Sequence, residues 1–248
     1  MSSEESSPFR DRAPLATADA LEILRTAEME ILGRMPHSSN ATFLVDLSID
    51  GEIVAQTIYK PRQGERPLWD FPSGLCQREA AAFELADGLG WDIIPPTVVR
   101  DGPLGEGSAQ LFIPARFEEH YFTLQDDERY DLAFRKLCLF DYVSNNTDRK
   151  SGHCLVDHHD HIWGIDNGLS FHSEFKLRTV LWDFAGQDIE HELRTDLANL
   201  AEAGLPDELV TKLDPFEHEA ALTRLHALLR EGTYPIDPTG HRYPWPLV

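Results

Sequence analysis

The sequence predicts an α+β fold in two lobes, a β-rich N-lobe and a mainly helical C-lobe, meeting at one point near residue 113. Three observations predict it. Asp50-Gly51 stands between two β-prone runs, a strong hairpin signal. A second pair of β-prone runs brackets a Gly-rich turn over 101–107. Beyond Pro114 the apolar spacing becomes helical.

Taken in order, residues 1–15 read as a flexible tail, 16–113 as the N-lobe and 114–248 as the C-lobe. A helix capped by Thr17 is expected to run through Leu21, Leu24, Ala27, Met29 and Ile31–Leu32. Strands follow over 41–48 and 52–60, then a Pro- and Gly-rich loop over 61–74. A helix over 75–89 is closed by Gly90, and strands over 97–100 and 109–113 form the second hairpin. In the second half the pattern predicts a helix over 126–145 and a polar loop to Gly152. Two short strands over 153–156 and 161–165 and helices over 188–203 and 206–231 complete it. The tail from Thr233 is Pro-rich and expected on the surface.

Hydrophobic residues make up 42% of the 248, enough for a sizeable core. The formal charge of −21 repels nucleic-acid phosphates and anionic lipid surfaces, so no nucleic-acid partner is expected. The three cysteines, Cys76, Cys138 and Cys154, have no metal-ligand spacing and fit buried small hydrophobes in a reducing compartment. Residues 1–14 have no apolar run, so neither a signal peptide nor an anchor is expected. No apolar stretch approaches the roughly 18 to 20 residues that span a bilayer, so no stable membrane insertion is expected. A cytoplasmic location is the expectation.

The chemistry-bearing residues follow one order. Lys60 ends the second hairpin strand, where its amine can reach back over a sheet toward phosphates; alone, such a lysine is an ordinary solvated charge. Glu79, early in the next helix, is placed to pair with it. The polar loop over 36–41 precedes the first strand, where a phosphate cover belongs, and has no glycine. Asp148 lies in a polar loop after a helix; Asp166 ends a strand before Asn-Gly, a turn that presents a carboxylate. Two acids so placed suit orienting a hydroxyl and holding Mg²⁺.

Asn146-Thr147-Asp148-Arg149 and Ile165-Asp166-Asn167-Gly168-Leu169-Ser170-Phe171 closely resemble the catalytic and metal-binding motifs of type II phosphatidylinositol 4-kinases. Tyr59-Lys60-Pro61 resembles their ATP-lysine motif, and residues 107–113 resemble the strand leading to their interlobe hinge. Glu79-Ala80 lies at the family spacing before Ile93-Ile94-Pro95, and Ser38-Ser39-Asn40 fits their phosphate loop loosely. The likeness spans about residues 38–185. It extends to bacterial proteins classed as phosphatidylinositol 3-/4-kinase-like.

The resemblance implies a protein-kinase-like, phosphatidylinositol-kinase-like fold and ATP with Mg²⁺ as cofactors. It implies Lys60 on the phosphates, Glu79 supporting it, and Ser38, Ser39 and Asn40 covering them. Adenine is expected against the backbone of residues 112–114, with Gln110, Phe112 and Ile113 in the binding set. Asp148 is implied as the catalytic residue and Asp166 as the metal ligand. His153 stands where the family has a metal-binding Asn and joins Asp166 in the expected metal-ligand set; imidazole is a poorer ligand for hard Mg²⁺, which weakens a second metal site or favours Mn²⁺. The family's palmitoylated cysteine-rich segment is missing.

Lys176 and Arg178 belong to a basic and aromatic island that faces substrate in the family layout. The histidines at 158, 159 and 161 read as an exposed turn rather than a metal site. The resulting expectation is a kinase transferring the γ-phosphate to a hydroxyl. A protein or small-molecule acceptor is favoured over a membrane lipid by the charge. A nucleotide-binding pseudokinase and a kinase-fold nucleotidyltransferase stand as alternatives.

Overall fold

The computed structural model describes Phe9 and residues 14–36 and 40–248. The first helix, α1 (Thr17–Thr26), is shorter than the pattern predicts. At Ala27 the backbone turns extended, and the chain enters β1 (Glu28–Arg34). Ala27 and Ile31 do stand four apart, but half-buried Met29 and Ile31 alternate with exposed Glu28, Glu30 and Leu32, the period-two pattern of a strand. Thr17 is the first helical residue; the capping position is Ala16, whose side chain makes no cap bond.

β2 (Phe43–Ile49) and β3 (Glu52–Pro61) are joined at Asp50-Gly51, both with positive φ, 52° and 80°. That is the geometry a two-residue type I′ turn requires. β4 (Thr97–Gly102) and β5 (Gly105–Leu111) form the second hairpin. Its turn is tighter than predicted, because Gly102 already pairs with Gly105, and its second strand stops before Ile113. The five strands make one antiparallel sheet in the order β1-β2-β3-β5-β4. Leu24 of α1 and Ala27 just beyond it pack against Leu47, Ala55, Val98 and Ala109 on one sheet face.

Between the hairpins lies α2 (Leu75–Gly88), followed by Gly90 at φ 66°. Its buried Ala81, Ala82, Leu85 and Ala86 belong to the main core, so this helix joins the sheet half to the helical half. The second half contains α3 (Tyr121–Leu124), α4 (Asp131–Ser144), α5 (His191–Ala203), α6 (Asp207–Val210) and α7 (Pro215–Glu231). The predicted start of α4 at 126 is displaced because Asp127 caps a separate 3-10 turn, Glu128–Tyr130. The single helix expected over 206–231 is two, since Asp214 caps a new helix with Pro215 in its first turn. A short ribbon, β6 (Cys154–Val156) with β7 (Ile162–Gly164), follows α4. All three cysteines are buried and unpaired. Among the described residues no helix is long and apolar enough to cross a membrane.

Candidate active site

Lys60 lies near the end of β3 and Glu79 on the second turn of α2. The Lys60 ammonium donates to the Glu79 carboxylate. It also donates to Asp166 Oδ1 at 2.7 Å, across 106 residues of sequence. The second Glu79 oxygen accepts the Asn167 N–H at 2.9 Å. One acid thus fixes both the amine and the segment that carries Asp166. Gly168 permits this approach, since a Cβ there would lie 3.2 Å from Glu79 Oε1 and 3.4 Å from the Leu75 carbonyl.

Asp166 has φ 57°, a left-handed conformation that Asp tolerates better than most residues. It aims the carboxylate into the cleft, where the side chain is half-exposed, at 52%. Burial opposes the charge on Lys60, but Asp166 and Glu79 together raise its pKa above the ordinary lysine value. In return the Lys60 ammonium, against the opposing effect of burial, holds Asp166 well below the usual carboxylate range.

Asp148 follows α4, which ends at Asn145 in the left-handed region, φ 55°. The loop is held by its neighbours. Asn146 Oδ1 accepts the Asp148 N–H at 2.9 Å, and the Leu169 carbonyl accepts both the N–H and the hydroxyl of Thr147 at 2.9 Å. Arg149 is completely buried. It donates to Asp141 at 3.0 Å, to the Ile165 carbonyl at 2.8 Å and to Asn167 Oδ1 at 2.6 Å. The loop bearing Asp148 and the turn bearing Asp166 are therefore one bonded unit. Lys150 Nζ stands 3.3 Å from Asp148. Burial, against the pull of Lys150, raises the Asp148 pKa. That is the direction a proton acceptor needs.

His153 faces Asp166 with Nε2 at 3.5 Å, while its Nδ1 accepts the Lys150 N–H at 3.4 Å. Burial pushes this imidazole down to about 4, so it is neutral at pH 7. With Nδ1 accepting, the ring hydrogen sits on Nε2 and points at Asp166.

Lys60, Glu79, Asp148, Lys150, His153 and Asp166 line one cleft of about 380 Å³, and Asn40 reaches it from the segment before β2. Ser38 and Ser39 lie outside the described residues. Phe112 and Ile113 lie beyond β5, and Ile113 packs beside the buried Ala115, Leu155 and Trp163, as does the partly buried Ile165. The Phe112 N–H is engaged by the Gln56 carbonyl at 2.9 Å. Gln110 is not among the cleft-lining residues: its amide donates to Thr97 Oγ1 at 2.9 Å inside the sheet. Lys176 and Arg178 are absent from the cleft lining as well. Lys176 Nζ donates to the Asp70 carbonyl at 2.6 Å, and Arg178 is exposed, with its backbone paired to Asn146 and Arg149.

The sequence patterns did not single out Lys150 or Arg149 as site residues. Lys150 had a signal, a cation two residues past the loop acid. The burial of Arg149 had none.

Protein Rv2133c of Mycobacterium tuberculosis (strain ATCC 25618 / H37Rv) is 36% identical over 266 residues, covering 92% of this chain and 95% of that protein. The chain belongs to the Rv2133c family. No protein-family model matches it. Among solved structures the chain is similar to the Golgi casein kinase with Mn/ADP bound, at a TM-score of 0.58 and 16% identity over 94% of this chain and 80% of that one. It is similar too to hydra Fam20 with sugar, at a TM-score of 0.59 and 13% identity over 92% of each. The chain therefore has a kinase-like fold, mixed α/β with an antiparallel sheet and helices.

Proposed function

We propose that this chain is an ATP-dependent phosphotransferase acting in the cytoplasm, with lobes over 16–113 and 114–248 and the nucleotide between them. One observation carries the reading: the amine of Lys60 lies between Glu79 and Asp166 in a cleft that also holds Asp148. Phosphoryl transfer asks a protein mainly for position and charge, and this cleft has both. The Golgi casein kinase to which the fold is similar holds Mn/ADP.

The donor set fits a hard divalent ion. Asp166 offers carboxylate oxygen to the cleft, and no three His, Cys, Asp or Glu side chains among the described residues gather into a complete cage. Mg²⁺ or Mn²⁺ would be held by Asp166 jointly with the nucleotide phosphates, as such ions commonly are. When bound, the ion supplies neutralisation of the phosphate charge. The residues do the rest. Lys60 is fixed by Glu79 and directs its ammonium at the phosphates. Asp148, with its raised pKa, accepts the proton of an acceptor hydroxyl, and Lys150 steadies that carboxylate. The apolar bed of Ile113, Leu155 and Ile165 receives the adenine against residues 112–114.

The acceptor is a protein or small-molecule hydroxyl rather than a membrane lipid. The −21 charge supports this, and the likeness to type II phosphatidylinositol 4-kinases rests on short sequence motifs alone. The orientation of His153, donating toward Asp166, favours a second reading in which the chain binds nucleotide without turnover. A single experiment separates them: autophosphorylation and ATP hydrolysis with Mg²⁺ or Mn²⁺, with mass analysis of the product. Phosphate transfer that falls about 100-fold or more in Asp166→Ala is expected. Transferred AMP would assign nucleotidyl transfer, and ATP binding without turnover would assign the pseudokinase.

A further inference from the structure

We infer that Arg66, on the loop between β3 and α2, is a triphosphate-binding residue that does by side chain what a glycine-rich cover does with backbone amides. The inference rests on the phosphotransferase reading and assigns a residue to its nucleotide site.

The cover is built from two crossing segments. Ala41 donates its N–H to the Gly64 carbonyl at 3.3 Å, and Arg66 donates its own to Asn40 Oδ1 at 3.1 Å. The crossing is close: a Cβ on Gly64 would lie 2.4 Å from that of Ala41. The Ala41 amide and the Asn40 side-chain oxygen are thus engaged with the 64–66 loop rather than turned to a ligand. What the crossing places over the cleft instead is Arg66, an exposed residue on the cleft wall.

Charge leads to the same residue. The cleft wall carries the cations Lys60, Lys150 and Arg66 and the acids Glu65, Glu79, Asp148 and Asp166. Lys60 is bonded to two of those acids, and Lys150 is paired with a third. Glu65 is engaged in capping α2, accepting the N–H groups of Gly74 at 3.0 Å and Cys76 at 2.8 Å. Among the described residues the Arg66 guanidinium has no carboxylate partner. A triphosphate adds several negative charges to a wall where acids already outnumber cations. Arg66 is the wall cation with its charge uncommitted, and its planar fork matches phosphate oxygens.

The test is equilibrium binding of ATP, ADP and AMP, with divalent ion present, to wild type, Arg66→Ala, Arg66→Lys and a loop control, Arg62→Ala. Arg62 lies on the same loop but pairs with Glu106 at 3.0 Å. Arg66→Ala is expected to weaken ATP about 10- to 100-fold, with AMP unchanged and partial recovery in Arg66→Lys. Arg62→Ala is expected to match wild type. Equal ATP affinity in wild type and Arg66→Ala would overturn the assignment and leave the phosphotransferase reading standing, as would an equal loss for ATP and AMP. A wild type that binds no nucleotide would overturn both.

Discussion

Arg149 and Asp141 are fully buried as a pair, and each is oriented by neutral partners: Asn167 on the arginine, the Thr179 hydroxyl on the acid at 2.9 Å. Burial works to raise the Asp141 pKa, and the guanidinium offsets that only in part. Removing one member of such a pair leaves the other charge uncompensated in a low-dielectric interior. Arg149→Met is therefore expected to lower unfolding free energy by about 3–5 kcal/mol, measured by urea denaturation. A loss below about 1 kcal/mol would mean the pair does not hold the Asp148 loop. The sequence showed an arginine beside a candidate catalytic acid and nothing more. Its burial depends on Asp141 and Asn167, which approach it from 8 and 18 residues away.

At the scale of elements, the contact between α2 and the segment after β7 decides the site. Glu79 bridges the two, and Gly168 lets them touch. A methyl group at Gly168 must push against the Leu75 backbone and the Glu79 carboxylate at once. Gly168→Ala is expected to cost about 1–3 kcal/mol in urea unfolding, the range for overpacking a close contact. It should reduce any ATP turnover along with stability, because the shift displaces the acid that holds Lys60; unchanged stability would show that α2 has room to move. Elements with strong local signals were legible, above all the Asp50-Gly51 hairpin and α2 with its closing Gly90. The boundary between α1 and β1 was not, since Ala27 and Ile31 fit helical spacing while Ala27, Met29 and Ile31 fit strand spacing over so short a run. Pairing with β2 settles it, through a ladder that runs from Glu28–Ser48 to Arg34–Phe43.

At the scale of the whole molecule, Arg78 and Glu217 tie α2 to α7 through a buried pair at 2.6 Å. Arg78 also donates to the Ser170 carbonyl at 3.1 Å, beside the Asp166 turn. Neighbouring residues of one helix thus reach both halves, Glu79 to Lys60 and Arg78 to α7. Arg78→Met and Glu217→Leu are each expected to destabilise by about 3–5 kcal/mol, and the double variant by much less than their sum. Additive losses in urea unfolding would show that the pair is not coupled. From the sequence alone came the α+β class, the hairpins, most helices and the order of Lys60, Glu79, Asp148 and Asp166 along the chain. Tertiary structure decided that Lys60 meets two acids at once, that Gln110 belongs to the sheet interior, and that Arg66 stands over the cleft. Local propensity is set by neighbours within a few residues, whereas the energy of a charge depends on its distance to other charges and to water, which only the folded chain defines.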